Sequence, residues 1–292
     1  MPPLAQVLKS NAAFTPKSSK PVALFLGGTS GIGRAMATRF AHYTKGEAHI
    51  VVVGRNQQAA QATISSFPSK TSSEFVECDA TLMKNVGATT SSLLSRLPRL
   101  NLLVLSPGFF SVFAGREETS EGIDKKLALL YYARWRFVHD LMPLLRNAAD
   151  ASEEAKVYSV LGAGTGCKID LEDLGLKKLY GAVKAAMTAA TYTDLAMEKF
   201  SADNPSVQFT HAFPGLVRTP MMLPRHWLLK PFAPLVTMAS YPFTVSPEVR
   251  VRLNSHSSSS SFVGLRRIPT LGIVRLEARF HAQGCKGRRY WL

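Results

Sequence analysis

The chain has 292 residues, 46% of them hydrophobic and 19% charged. That is enough for one large α/β domain and argues against a wholly disordered chain. The net charge of +15 can attract nucleic acid, anionic lipid or an anionic cofactor. No helix-turn-helix, zinc finger or RNP-like pattern accompanies it, so nucleic acid is not an expected partner. Cys78, Cys167 and Cys285 are widely spaced and form no CxxC pair. This disfavours zinc and a disulfide framework, and points to a reducing, cytoplasmic setting.

Apolar β-like runs alternate with longer helical stretches. The first strand, Val22–Leu26, precedes a glycine-rich turn and a helix over Ile32–Tyr43. The pattern repeats with His49–Val53 and Gln57–Ser65, with Glu74–Glu77 and a helix around Leu82–Leu94, and with Leu102–Leu105 and Ile123–Leu145. Lys156–Leu161 is followed by a predicted helix Leu179–Phe200, and Val207–Phe213 is the sixth strand. Strands that read as continuous apolar runs are buried on both faces, as in a parallel sheet. The alternation predicts a doubly wound parallel sheet (a Rossmann fold) in one domain over residues 21–248.

Residues 1–20 form a short leading segment without a convincing targeting signal. Residues 249–292 differ in character, with a serine run at Ser257–Ser261 and an Arg/Gly-rich end. A disordered basic tail is the favoured reading; an extra edge strand near Leu271–Leu276, or a segment foreign to the ancestral fold, are the alternatives. The longest apolar region, Trp227–Phe243, is broken by Lys230, Pro231, Pro234 and Pro242. No stretch reaches the roughly 18–20 apolar residues of a spanning helix.

The first strand runs into Gly27-Gly28-Thr29-Ser30-Gly31-Ile32-Gly33-Arg34. Gly27 permits a sharp exit from the strand, Gly31 permits close approach of backbone to a diphosphate, and Gly33 permits tight helix–sheet packing. The helix then opens with free N–H groups, to which Thr29 and Ser30 can add hydroxyl donors. The GxxxGxG spacing resembles the short-chain dehydrogenase/reductase family, with Leu26 where that family's turn carries threonine. The resemblance extends to about residue 248, and the divergent pattern looks like fungal short-chain reductases, many of which serve secondary metabolism.

An NAD enzyme places an acid at the end of the second strand. Here that strand ends Val53-Gly54-Arg55-Asn56. Arg55, assisted by Arg34, suits a 2′-phosphate, so NADP(H) is favoured over NAD. Asp79 matches the family position that touches adenine, and Ser106 falls in the segment after the fourth strand.

Tyr180 and Lys184 form a YxxxK pair, expected on one face of the predicted helix. A lysine cation beside a phenol would lower its pKa from near 10 and suit it to proton transfer. The resemblance implies that Tyr180 protonates a carbonyl oxygen while Lys184 grips the nicotinamide ribose. Pro214-Gly215-Leu216-Val217-Arg218-Thr219 resembles the family's PGxVxT segment, in which Val217 and Thr219 would meet the nicotinamide amide. The family serine after the fifth strand falls at Leu161 or Gly162. Ser159 or Thr165 could replace it only with a shifted backbone. The family asparagine falls at Leu130. Met221, Met222, Trp227 and Phe232 suggest a lipophilic lid over a small-molecule substrate, with ordinary core or an oligomer contact equally compatible. The expectation is an NADP-dependent oxidoreductase, free or as a homo-oligomer; its rival is a catalytically weak NADP(H)-binding regulatory protein.

Overall fold

A computed structural model describes residues 13, 15–109, 115–215 and 217. Six strands form one parallel sheet in the order β3-β2-β1-β4-β5-β6. The chain order is β1 (Val22–Leu26), α1 (Gly31–Tyr43), β2 (His49–Gly54), α2 (Gln57–Ile64), β3 (Ser72–Glu77), α3 (Met83–Arg96) and β4 (Leu102–Leu105). A helical turn, Lys125–Leu127, then passes through a π-helical segment, Ala128–Tyr132, into α4 (Ala133–Asp150). β5 (Lys156–Val160), α5 (Ala182–Asp203) and β6 (Gln208–Ala212) follow. The predicted doubly wound architecture is present.

The apolar strands form because both of their faces are covered. In β1, Val22, Leu24 and Leu26 join the core beneath α3, α4 and α5, whereas Ala23 and Phe25 join the core beneath α1 and α2. The same alternation divides Val51 and Val53 from Ile50 and Val52 in β2. Small residues let α1 lie close to the sheet: Ala35, Ala37 and Ala41 are buried there. Asn56 starts α2 by accepting the Ala59 N–H at 2.8 Å, an N-cap worth about 1 kcal/mol.

Asn101 closes the opposite end of the sheet. Its Oδ1 accepts from the Val22 N–H at 2.9 Å, and its Nδ2 donates to Glu153 and to the Glu154 carbonyl. This leaves the carboxyl ends of the strands for ligand. The order reverses between β1 and β4, the position at which a doubly wound sheet opens a crevice. No helix among the described residues is long and apolar enough to cross a membrane. The tail from residue 249 and the segment Met221–Phe232 lie outside the described residues.

Candidate active site and dinucleotide cleft

The crevice is real and asymmetric. The β1–α1 turn, from Leu26 to Ile32, lines its middle. Gly54, Arg55, Cys78 and Ala80 line the end over β2 and β3; Ser106, Pro107, Gly108 and Leu129 line the end over β4.

The three glycine roles expected from sequence have structural counterparts. Gly27 has φ +83° and Gly31 φ +55°, both in the left-handed region that disfavours side chains. A β-carbon on Gly27 would lie 2.9 Å from the Pro107 nitrogen. One on Gly33 would overlap the Ser106 hydroxyl and the Gly27 carbonyl. Ser106 Oγ is itself fixed by donating to the Leu26 carbonyl at 3.1 Å. Ser30 is the N-cap residue of α1 but makes no side-chain cap bond. The first-turn N–H groups of α1 are therefore available to an anion in the cleft. Gly54 is a further requirement that the sequence pattern did not announce: a β-carbon there would sit 2.7 Å from the Thr29 methyl. This cradle fits a dinucleotide diphosphate.

Arg55 is exposed and borders the cleft at the end of β2; Arg34 is exposed on α1. Asp79 sits between cleft-lining Cys78 and Ala80, with Oδ1 accepting from the Thr81 N–H and hydroxyl at 3.0 and 2.8 Å. It therefore also shapes the turn into α3.

The expected proton-transfer pair is arranged differently from the sequence reading. α5 begins at Ala182, not Leu179, with Gly181 extended at φ −156°. Tyr180 thus precedes the helix and Lys184 lies in its first turn, so the helical i,i+4 argument does not hold. Asp173 anchors the segment in front of the phenol. Its carboxylate accepts the N–H groups of Lys177, Lys178 and Leu179 at 2.6, 3.0 and 3.1 Å. Burial pushes the Asp173 carboxyl up, but these donors outweigh it and hold it below its ordinary value.

Tyr180 packs with Leu127, Leu130 and Ala185. Leu130, in the same cluster, is 3.5 Å from where a β-carbon on cleft-lining Gly108 would be. Its pKa is pushed up to about 12, first by burial and then by the Asp124 carboxylate, with Arg116 opposing. The expected lowering by Lys184 is absent: burial first and Asp124 second raise the phenol, and the lysine is not among the groups that shift it. Sequence reasoning missed Asp124; its buried carboxylate, 2% exposed, is brought to Tyr180 by tertiary folding.

Ser159 is also corrected. Strand alternation turns it toward α4, where it is 1% exposed and its Oγ accepts from Arg134 at 2.9 Å. It has no path to a substrate. Thr165 is placed differently. It is exposed, and its N–H and hydroxyl both donate to the Gly162 carbonyl, at 2.9 and 2.8 Å. Gly164, at φ +72°, permits this return. The Thr165 hydroxyl overlaps the place where a β-carbon on Gly162 would project. Beyond β6, Gly215 has φ +67° and Val217 is buried. Thr219 lies outside the described residues. Among the described residues, no group of three His, Cys, Asp or Glu side chains could hold a metal.

Residues 21–226 match the family profile of the short chain dehydrogenases. The chain belongs to that family. It is 32% identical, over 264 residues, to Oxidoreductase andH of Emericella variicolor, an alignment covering 89% of this chain and 76% of that protein. It is 35% identical, over 278 residues, to Oxidoreductase AN1596 of Emericella nidulans, covering 91% and 79%. Among solved structures, the Pseudomonas aeruginosa RhlG/NADP active-site complex superposes with a TM-score of 0.63 at 19% identity, over 84% of this chain and 92% of that one. This short-chain dehydrogenase therefore has fungal oxidoreductase relatives, and its fold is shared with a bacterial protein.

Proposed function

We propose that this short-chain dehydrogenase is an NADP(H)-dependent reductase of a lipophilic carbonyl compound. The carrying observation is the cleft: a glycine cradle at an uncapped helix start, ending at β2 beside Arg55 with no acid at that strand end. A guanidinium there suits a 2′-phosphate, whereas a carboxylate would suit free ribose hydroxyls. When bound, the dinucleotide supplies the hydride. The first-turn amides of α1 hold the diphosphate, and Ser106 and Val217 border its nicotinamide half. Tyr180, kept protonated by its surroundings, is the proton donor to the carbonyl oxygen. Lys184 orients the ribose, and the Thr165 hydroxyl holds the carbonyl in place of Ser159. Cytoplasmic location, a role in fungal secondary metabolism and the single domain over 21–248 belong to the same proposal.

The test is NADPH oxidation with a panel of hydrophobic ketones. Tyr180→Phe should lose at least about a hundredfold in kcat, and Thr165→Val about a hundredfold to a thousandfold, with Ser159→Ala near the parent. Equal rates for the parent and Tyr180→Phe would remove the proton donor. The misplacement of Ser159 favours a second reading, a cofactor binder with little turnover. NADPH binding without oxidation of any ketone would support it.

A further inference from the structure

Arg134 opens α4 and has the largest side chain among those fully buried, at 1% exposure. Its Nη1 donates to the carbonyls of Leu105 and Val160 at 2.9 and 3.0 Å and to Ser159 Oγ at 2.9 Å. Its Nη2 donates to the Pro107 carbonyl at 2.6 Å. All of these acceptors are neutral. No ion pair among the described residues includes Arg134, and burial alone acts on its ionisation, bringing it down to about 9. The group therefore carries its charge at neutral pH with no counter-ion among the described residues. Burying a guanidinium without an opposite charge is costly, and its Nε finds no hydrogen bond among the described residues.

The location gives that charge a use. Leu105 and Val160 are the last residues of β4 and β5. Pro107, held by Nη2, lines the cleft. Arg55, Cys78 and Ala80 take the adenosine half over β2 and β3, so the other half of a dinucleotide lies over β4 and β5. The guanidinium is thus one backbone layer beneath the nicotinamide half. An oxidised nicotinamide ring carries a positive charge and a reduced ring carries none, so only the oxidised ring is repelled.

We infer that Arg134 sets the redox preference of the cleft: its unneutralised charge makes the protein bind the reduced dinucleotide more tightly than the oxidised one. The inference rests on the dinucleotide-binding reading above. A unit charge beneath the ring, partly screened by the protein, corresponds to on the order of tenfold in affinity. Arg134 is a positioning and electrostatic residue, not one that touches substrate.

The experiment is equilibrium binding of NADPH, NADP⁺ and 2′,5′-ADP to the parent, R134K and R134Q. The parent should bind NADPH about tenfold more tightly than NADP⁺. R134K, which keeps the charge, should keep the ratio. R134Q should bring the two within about twofold, while all three proteins bind 2′,5′-ADP alike. A role confined to tethering the strand ends would weaken both dinucleotides together and leave the ratio intact in R134Q, which overturns the inference. So would equal affinities in the parent, a result that needs no variant and stands even if R134Q does not fold. Absence of binding by any of the three nucleotides would instead remove the cofactor reading itself.

Discussion

Replacing Asp124 with asparagine isolates the charge that adds to burial in raising the Tyr180 phenol. Asp124 is 2% exposed, and its Oδ1 accepts the N–H groups of Lys126 and Leu127 at 3.1 and 3.0 Å. An asparagine oxygen can accept the same two bonds, so the start of the helical turn survives; alanine would lose this cap at about 1 kcal/mol. The phenol stands at about 12 through burial and the neighbouring carboxylate. Against an ordinary tyrosine near 10, that reduces the phenolate present below pH 10 by about a hundredfold. Because the value is raised, the phenol remains a neutral acid through the neutral and mildly alkaline range. Reduction, which draws on that proton, should be flat with pH there, while alcohol oxidation, which needs the phenolate, should climb. Asp124→Asn removes the charge and leaves the burial, so the phenol should titrate lower than in the parent while staying above an ordinary tyrosine. Oxidation at pH 8–10 should then increase, by about tenfold for each unit of pKa lowered, with reduction unchanged. The direct assay is an ultraviolet titration of tyrosine, with the Tyr180→Phe curve subtracted to leave this one phenol. An identical midpoint in the parent and Asp124→Asn would refute the assignment of the shift to Asp124.

Gly33→Ala should abolish dinucleotide binding, because its methyl overlaps Ser106 and the Gly27 carbonyl; calorimetric titration with NADPH reads the loss, and thermal unfolding should show about 1–3 kcal/mol of destabilisation. Arg55→Ala should weaken NADPH by on the order of ten- to a hundredfold and leave NADH unchanged, so the ratio of the two dissociation constants is the measurement. Asp173→Ala should speed amide exchange at Lys177, Lys178 and Leu179 by at least about tenfold, since their acceptor is gone. Because the folded Asp173 carboxyl titrates below its ordinary value, its contribution in the parent is fully present above the ordinary carboxylate range. It is lost only as pH falls through the lowered value, and exchange at these amides should rise there.

Much of the molecule was legible because short-range chemistry determines it. The β1 run Val22–Leu26 can be buried on both faces only in a covered sheet, and Gly27, Gly31 and Gly33 can follow it for only a few steric reasons. The order of strands and helices, the cleft at the β1–α1 turn and Arg55 at the end of β2 all follow from local sequence. The phenol's environment does not. Leu179-Tyr180-Gly181 has no helix-breaking proline, yet Asp173 captures the backbone in front of it and α5 starts later. Asp124 is 56 residues from Tyr180 in sequence, and no periodicity links them. Ser159 and Thr165 are both plausible hydroxyls on paper. Strand alternation and a positive-φ turn at Gly164 send one beneath α4 and return the other over Gly162. Arg134 reads as an ordinary helix cation until α4 packs on the ends of β4 and β5 and removes it from water. Backbone shape and strand burial depend on neighbours a few residues away and were fixed by the amino-acid order. The ionisation of Tyr180 and Arg134 depends on charges and solvent excluded by distant segments, and only the folded chain decides it.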